Sequence, residues 1–200
     1  MCGVCVPGRH EDWVPRRQRL LSDAASNVLV YVTGHGGDSF LKFQDQQEVT
    51  STDIADALAQ MDAKGRYAEL LFMADTCQAA TLATEFYSPR LVALASSAKG
   101  EPSWSYHPDG DVGLTVIDRF THFTLDVLEG IVPGTPSANA SLAQLLASFS
   151  REQLHSTATP RTDLFTHRPL ASVRVTDFMG SVAGVELTQG PYPEFKGLAR

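Results

Sequence analysis

The stretch Glu69-Leu70-Leu71-Phe72-Met73-Ala74-Asp75-Thr76-Cys77 decides the fold of this chain. It is a short apolar run that ends in polar residues and a cysteine, which is more typical of a buried strand than of a helix. Open α/β sheets place their chemistry at the carboxyl ends of parallel strands, and Cys77 falls at such an end. We therefore expect Cys77 to lie at the functional edge of a sheet.

A second apolar run of the same kind lies upstream. It reads Asn27-Val28-Leu29-Val30-Tyr31-Val32-Thr33 and is followed directly by Gly34-His35-Gly36-Gly37. Its β-branched, fully apolar character predicts a strand that is covered on both faces. If both strands end at the same edge of the sheet, His35 and Cys77 come together, and this pairing is the main functional signal of the sequence.

The other segments complete an α/β pattern. The order of strands and helices predicts right-handed crossovers and a parallel sheet. We predict a hairpin strand at 40–45, helices at 53–63, 79–85, 114–128 and 141–153, a buried strand at 91–95, a long loop at 99–113 and a strand at 172–176. The loop, in particular residues 101–111, follows the 91–95 strand and is expected to contact substrate.

Composition excludes several classes of protein. The 200 residues fit one domain, and the net charge of -7 leaves no basic stripe for nucleic acid. Cys2, Cys5 and Cys77 are an odd number of cysteines, so they make no disulfide framework, and a zinc site would need a second pair. No segment has the length of a membrane span, and the start of the chain lacks the apolar core of a signal peptide.

A histidine beside a cysteine suits nucleophilic catalysis. A free thiol has a pKa of roughly 8.5, so it needs a base such as His35 to remove its proton. The backbone N–H groups of Gly36 and Cys77 are the candidate donors to the developing oxyanion. His35 precedes Cys77 by 42 residues, and caspases show a similar spacing of about 50. The alternatives are a buried structural thiol and a turn histidine bonded to backbone.

Five motifs resemble the catalytic subunits of glycosylphosphatidylinositol (GPI)-anchor transamidases, which are legumain- and caspase-like cysteine peptidases. The most specific is the phrase from Tyr31 to Asp45, which contains Gly34-His35-Gly36-Gly37 and Phe40-Leu41-Lys42-Phe43-Gln44-Asp45. The others are Asp75-Thr76-Cys77-Gln78-Ala79, Phe86-Tyr87-Ser88-Pro89, Ala93-Leu94-Ala95-Ser96-Ser97 and Arg161-Thr162-Asp163-Leu164-Phe165. The resemblance extends over residues 17–186, with an irregular lead-in at 1–16 and an irregular tail at 187–200.

The resemblance implies a fold and a set of site residues. The fold is an α/β caspase-like three-layer sandwich with a mostly parallel sheet that lacks its first two strands. His35 resembles the general base, Cys77 the nucleophile and Gly36 the oxyanion donor. Asp75 and Ser96 match positions that line the pocket for the residue before the cut in related asparaginyl peptidases.

The resemblance also implies an activity. The enzyme would remove a carboxyl-terminal signal from a proprotein through a Cys77 thioester and pass the acyl group to the amine of a GPI lipid. It would act in a multi-subunit membrane complex on the luminal side of the endoplasmic reticulum. We expect no cofactor or metal in this chain, because the family's calcium site would lie in an amino-terminal part that is not recognisable here. The alternatives are a hydrolytic asparaginyl endopeptidase and a non-catalytic remnant that binds partner subunits.

Overall fold

The computed structural model describes residues 14–15, 19–44, 46–111 and 113–179. Its strands are β1 (Asn27–Thr33), β2 (Gly36–Gly37), β3 (Phe40–Phe43), β4 (Gln47–Thr50), β5 (Glu69–Asp75), β6 (Leu91–Ala95), β7 (Ser105–Asp109), β8 (Leu114–Asp118) and β9 (Thr159–Arg161). Its α-helices are α1 (Ser51–Ala63), α2 (Arg119–Glu129), α3 (Leu142–Ser148), α4 (Arg151–Leu154) and α5 (Thr176–Met179). Short 3₁₀ helices span Ala79–Ala83, Pro136–Asn139 and Leu170–Ser172.

A four-stranded sheet in the order β1-β5-β6-β9 forms the centre of the fold. β5 pairs in parallel with β1 and with β6, whereas β9 runs antiparallel to β6. Every residue of β5 and β6 is buried, as is typical of parallel strands with both faces covered. The predicted mixed α/β architecture with a mostly parallel sheet is confirmed.

Two hydrophobic cores lie on opposite faces of this sheet. Phe72 and Met73 are neighbours in β5, yet they belong to different cores, because successive side chains of a strand point to opposite faces. Phe72 packs with Leu58 of α1 in one core, and Met73 packs with Phe120 of α2 in the other. The three layers of the sandwich follow directly from this alternation.

β1 is less buried than its sequence predicts. Val28 is buried, but the rest of the strand is half-buried or exposed, and the ring of Tyr31 is 40% exposed. Among the described residues no strand pairs with the outer edge of β1. An apolar groove of about 380 Å³ runs beside β1, between β3, β4 and α1.

The prediction for residues 99–128 is partly wrong. Residues 105–109 and 114–118 form the hairpin β7–β8 instead of a loop followed by a helix, and α2 begins only at Arg119. The stretch Leu114-Thr115-Val116-Ile117 favours a strand, while Gly113, with φ 72°, turns the chain back so that its N–H donates to the Asp109 carbonyl. The apolar spacing that suggested a helix over the whole segment begins to apply at Phe120.

Two further predictions also differ from the structure. The helix predicted at 141–153 is two helices, because Phe149 is extended and Ser150 caps α4 by accepting from the Gln153 N–H. The strand predicted at 172–176 is a single bridge between Arg174 and Ser141, followed by α5. The other helix predictions hold approximately: α1 spans Ser51–Ala63, and the segment at 79–85 contains the 3₁₀ helix Ala79–Ala83.

Parts of the sequence predictions fall outside the described residues. They include Cys2, Cys5, nearly all of the lead-in at 1–16 and the whole tail at 187–200, so the domain boundaries stay predictions. In the part of the chain that is described, no helix combines the length and the apolar character that a membrane crossing requires.

An ion-pair network fastens the carboxyl-terminal segment to the start of β5. The Glu69 carboxylate, whose residue is 8% exposed, accepts from Arg168 at 2.5 and 2.6 Å and lies 2.7 Å from Nε2 of His167. Arg168 also contacts Asp177 in α5 at 3.4 Å. Burial raises the pKa of Glu69, but hydrogen bonds and charge from Arg168 and His167 outweigh it and hold that pKa below 4.5.

Replacing Glu69 should therefore destabilise the fold in a pH-dependent way. Glu69→Gln removes the carboxylate nearest to Arg168 and leaves only its 3.4 Å contact with Asp177, so we expect a loss of about 2 kcal/mol of unfolding free energy near neutral pH. Because the folded-state pKa is depressed, this stabilisation is present above the ordinary carboxyl pKa and is lost as the pH falls through the folded value. Urea unfolding of both proteins across that range measures the effect.

The exposed carboxylate of Glu85 provides a matched control for this measurement. Glu85→Gln removes a charge of the same type without a buried partner, so it should change stability by less than about 0.5 kcal/mol. A Glu69→Gln deficit that stays the same in acid and at neutral pH would show that the ion pair is not its source.

Candidate active site

The carboxyl ends of β1 and β5 lie side by side. Thr33 is the register partner of Asp75, and the Gly34 N–H donates to the Asp75 carbonyl at 3.3 Å. His35 and Cys77 each lie two residues beyond this pair. Both line a cavity of about 340 Å³ together with Gly34, Asp75, Thr76, Ser103, Ser105 and Asp118. The structure thus brings the two predicted residues into one cavity, while their catalytic roles stay predictions.

The backbone around Cys77 is held in place by two serines that directly follow β6. The Thr76 N–H donates to the Ser96 hydroxyl at 3.2 Å, and the Ala79 N–H donates to the Ser97 hydroxyl at 3.0 Å. Among the described residues the Cys77 N–H has no acceptor. The amide of the cysteine is therefore available to a ligand in the cavity, while the amides near it are engaged.

The turn after Cys77 is fixed by the loop that follows β6. Gln78 adopts a left-handed conformation with φ 55°, and its N–H donates to the Glu101 carbonyl at 2.8 Å. The Glu101 carboxylate accepts from Arg151 at 2.5 Å and from the Thr157 N–H at 2.7 Å. Arg151 and then Thr157 lower the pKa of Glu101 to about 2, so the carboxylate stays charged and keeps the loop in place.

The glycines after His35 present a second backbone amide. Gly36 pairs with Leu41, and in the neighbouring pair the Lys42 N–H donates to the His35 carbonyl at 2.8 Å. Hydrogen-bonded and non-hydrogen-bonded pairs alternate along antiparallel strands, so the Gly36 N–H points away from β3. This amide is therefore free of the hairpin ladder, as an oxyanion donor must be.

Only a glycine fits at position 36. An ideal Cβ there would overlap Oγ1 of Thr76 and would lie 2.9 Å from the carbonyl oxygen of Phe40. The Thr76 hydroxyl is itself buried without a hydrogen-bond partner in the described part of the chain. The segment between β5 and Cys77 and the loop that carries His35 therefore touch through this glycine.

Asp75 is a buried, hydrogen-bonded carboxylate in the wall of the cavity. It accepts from the Ser103 hydroxyl at 2.7 Å and from the N–H and hydroxyl of Thr121 at 3.2 and 2.6 Å. Since Thr121 gives its hydroxyl proton to Asp75, the phenol of Tyr31 donates to the Thr121 oxygen. Burial, the largest effect, raises the pKa of Tyr31 above 10 and keeps the phenol a donor.

Ser96 lies beside the cavity instead of in its wall. It is fully buried, and its hydroxyl bonds both the N–H and the carbonyl of Thr76 at 3.2 Å. In this arrangement it supports the backbone before Cys77. The predicted contact of Ser96 and of Asp75 with substrate stays a prediction.

Asp118 is a cavity residue that the sequence reasoning missed. It ends β8 and precedes α2, and its side chain makes no capping bond to that helix. Burial and the charge of Asp75 raise the pKa of Asp118, while a hydrogen bond from Thr33 and the charge of His35 oppose them. Asp118 and His35 therefore lie in the same cavity, near enough for their charges to interact.

Asp118 was missed because the hairpin that carries it was not predicted. Ser105 and Asp118 are register partners in the hairpin β7–β8, which the sequence reasoning took for a loop and a helix. The expectation that residues 101–111 contact substrate nevertheless pointed to Ser103 and Ser105, which line the cavity. For Thr121 we find no local sequence signal. Within the described residues, no group of three or more His, Cys, Asp or Glu side chains is arranged to hold a metal ion.

Comparison with known proteins gives closely related sequences. The chain is 49% identical over 171 residues to a GPI-anchor transamidase of Saccharomyces cerevisiae, covering 86% of this chain and 41% of the relative. It is 49% identical to the GPI-anchor transamidase of Bos taurus and 48% identical to that of Homo sapiens, each over 183 residues, 92% of this chain and 45% of the relative. The chain thus spans less than half the length of these curated relatives.

The family assignment covers every residue that lines the cavity. Residues 6–128 match the Peptidase C13 family, and this range includes His35, Cys77 and Asp118. More than half of the chain lies inside the match. The chain therefore belongs to the Peptidase C13 family.

Proposed function

We propose that this chain is the catalytic part of a GPI-anchor transamidase. The observation that carries the proposal is the cavity shared by His35 and Cys77, in which the Cys77 amide has no acceptor among the described residues. Close similarity to proteins named GPI-anchor transamidase supports the choice of reaction, and membership of a cysteine peptidase family supports the chemistry.

The first half of the reaction forms a thioester. Sγ of Cys77 attacks the carbonyl carbon of the peptide bond while His35 takes the thiol proton. The carbonyl oxygen becomes an oxyanion, which the N–H groups of Cys77 and Gly36 stabilise. The C–N bond then breaks, and His35 returns its proton to the leaving amine. The products are a Cys77 thioester and the released carboxyl-terminal peptide.

The second half transfers the acyl group to a new amine. The amine of a GPI lipid attacks the thioester carbonyl, and His35 removes a proton from the attacking nitrogen. The C–S bond breaks, the Cys77 sulfur recovers a proton from His35, and an amide remains. Water in the place of the amine would give hydrolysis, which is the reaction of an asparaginyl endopeptidase.

The surroundings of the enzyme follow from the same proposal. The substrates are proproteins with a carboxyl-terminal signal. Asp75 lines the pocket for the residue before the cut, and Ser96 shapes that pocket through the backbone of Thr76. The chain acts with other subunits in a membrane complex on the luminal side of the endoplasmic reticulum. The names of the relatives support the GPI-anchor reaction, from which the rest of this assignment is inferred.

Removing either member of the dyad should abolish transfer. We expect Cys77→Ala and His35→Ala to lower the rate by about 1,000-fold or more, since each removes a group that acts in the chemical step. The assay follows a peptide with a central asparagine, with hydroxylamine as the acceptor amine, and separates hydroxamate from free acid by mass spectrometry. His155→Asn is the matched control, because His155 is exposed, lies outside the cavity and has the left-handed φ of 60° that asparagine tolerates.

The products separate the rival functions. Hydroxamate formed at the expense of acid supports a transamidase, and acid alone supports an endopeptidase. A Cys77 thiol that reacts with a peptide electrophile no faster than free cysteine would favour a non-catalytic remnant. In cells that lack the native subunit, surface display of a GPI-anchored reporter restored by either dyad variant would rule out the proposed roles.

A methyl group at position 36 should damage catalysis more than folding. In Gly36→Ala the new Cβ meets Thr76 and the carbonyl of Phe40, so the Gly36 N–H must move away from the oxyanion. Loss of one such donor costs about 100- to 1,000-fold in kcat, and we expect a loss in this range. Gly130→Ala is the control, because Gly130 lies outside the cavity with φ -71° and a Cβ there approaches no atom closer than 3.4 Å. Equal kcat values for the two variants would contradict an oxyanion role.

A further inference from the structure

We propose that the hydroxyl group of Thr76 is a third donor to the oxyanion, beside the N–H groups of Gly36 and Cys77. This inference rests on the proposed function, because it adds a catalytic residue to the same reaction. The hydroxyl donates a hydrogen bond to the carbonyl oxygen of the reacting bond once Sγ of Cys77 has attacked the carbonyl carbon, and it transfers no proton.

The Thr76 hydroxyl is buried in the wall of the cavity. Thr76 is 1% exposed and lines the cavity that holds His35 and Cys77. Five buried side-chain nitrogen or oxygen atoms have no hydrogen-bond partner among the described residues, and Oγ1 of Thr76 is the one that belongs to this cavity. A buried hydroxyl without a partner costs free energy, so its presence at a binding site indicates a partner that arrives with the ligand.

The backbone of Thr76 shows where the neighbouring Cys77 N–H points. The Thr76 carbonyl accepts from the hydroxyl groups of Ser96 and Ser97 at 3.2 and 2.8 Å, and both serines directly follow β6. The carbonyl and the N–H of a trans peptide unit point in opposite directions, so the Cys77 N–H points away from β6. Because β5 lies between β6 and β1, this amide faces the β1 side of the sheet.

The Thr76 hydroxyl lies on that same side. An ideal Cβ at Gly36, in the loop that follows β1, would overlap Oγ1 of Thr76, so this oxygen lies against Cα of Gly36. The Gly36 N–H, which is free of the hairpin ladder, belongs to the same residue. The two backbone donors and the hydroxyl therefore lie together on the β1 side of the end of β5.

The carboxyl groups of the cavity make an additional donor useful. Asp75 and Asp118 both line the cavity, and burial together with the charge of Asp75 raises the pKa of Asp118. The same surroundings disfavour a negative charge on the substrate oxygen. The Ser103 hydroxyl is not available to this oxygen, since it donates to Asp75 at 2.7 Å. A further preorganised donor at the oxyanion offsets the repulsion.

The kinetic test removes the hydroxyl in two ways. Thr76→Val keeps the branched shape, whereas Thr76→Ala leaves no atom that could overlap Gly36. We expect both variants of the full chain to lower kcat by about 10- to 100-fold with KM unchanged in the hydroxylamine assay, because the donor acts only after attack. Thr76→Ser keeps the hydroxyl and should stay within about threefold of the unsubstituted chain.

Thr124→Val is the matched control for the same exchange of side chains. Thr124 is buried outside the cavity, and its hydroxyl donates to the Phe120 carbonyl at 2.7 Å, so kcat should not change. The melting temperatures should move differently. Thr124→Val removes a hydrogen bond and should lower the melting temperature, whereas Thr76→Val removes a hydroxyl without a partner among the described residues and should not.

Ligand binding separates the oxyanion from the uncleaved substrate. The carbonyl carbon of a peptide aldehyde that ends in asparagine bonds to Sγ of Cys77, the thiol proton passes to His35, and the aldehyde oxygen becomes an oxyanion. Thr76→Val should weaken inhibition by this aldehyde by the same factor as it lowers kcat/KM. Added to a chain that carries Cys77→Ala, it should leave the affinity for a fluorescein-labelled, uncleaved asparagine peptide unchanged.

Each contrary result overturns the inference. A loss of kcat in Thr76→Val but not in Thr76→Ala would assign the effect to overlap with Gly36, and an equal loss in Thr76→Ser would assign it to packing. Unchanged kcat in both variants, or weaker binding of the uncleaved peptide, would also overturn it. An unsubstituted chain that forms neither hydroxamate nor acid would instead count against the proposed function, and binding of the aldehyde would then still test the hydroxyl.

Discussion

The parallel pairing of β1 with β5 is the constraint on which the site depends. Its register sets Thr33 opposite Asp75, so the two segments that follow leave the sheet at the same level. A slip of one residue would turn every side chain of β1 to the other face and move His35 relative to Cys77. The buried β5 cannot slip, because its alternate residues are committed to two different cores. The hydrophobic effect therefore sets the geometry of a polar site.

The two central strands could be predicted because their information is local. Short apolar runs, each followed by glycine or polar residues, define β1 and β5 without reference to the rest of the chain. His35 and Cys77 could be placed for the same reason, since parallel strands end at a common edge. The hairpin β7–β8 was harder, because the spacing of Val116, Phe120 and Val127 fits a helix. What favours the hairpin over a helix is the strand-forming stretch 114–117 and the turn at Gly113. The φ of 72° at this turn is a backbone angle that the apolar spacing does not reveal.

Other parts of the site depend on contacts between distant segments, which a single sequence does not display. Thr121 reaches Asp75 across 46 residues, and Ser103 reaches it across 28. Asp118 lines the cavity only because β8 pairs with β7. Ser96 also depends on such a contact. The family motif associated it with substrate, whereas its hydroxyl bonds the backbone of Thr76, 20 residues earlier in the chain. Tertiary hydrogen bonds, not local preference, decide what these side chains do.

The contact between Thr76 and Gly36 departs from ordinary packing rules. A buried hydroxyl without a partner costs about 1–3 kcal/mol, and such groups concentrate at functional sites. The close approach of Gly36 to Thr76 limits how far the Gly36 and Cys77 amides can move relative to each other. Local stability is thus exchanged for the fixed position of these amides, a pattern seen where structure serves chemistry.

The hydrogen bonds from Tyr31 through Thr121 to Asp75 connect β1 to the cavity. Tyr31 lies in β1, the outermost strand of the sheet among the described residues, and the Asp75 carboxylate accepts the last hydrogen bond in the cavity wall. Hydrogen bonds in series strengthen one another, and they strengthen further when water is removed from around them. Any polypeptide that shields the Tyr31 ring from solvent therefore alters the electrostatic potential at the Asp75 carboxylate. The outermost described strand and the cavity are therefore electrostatically coupled.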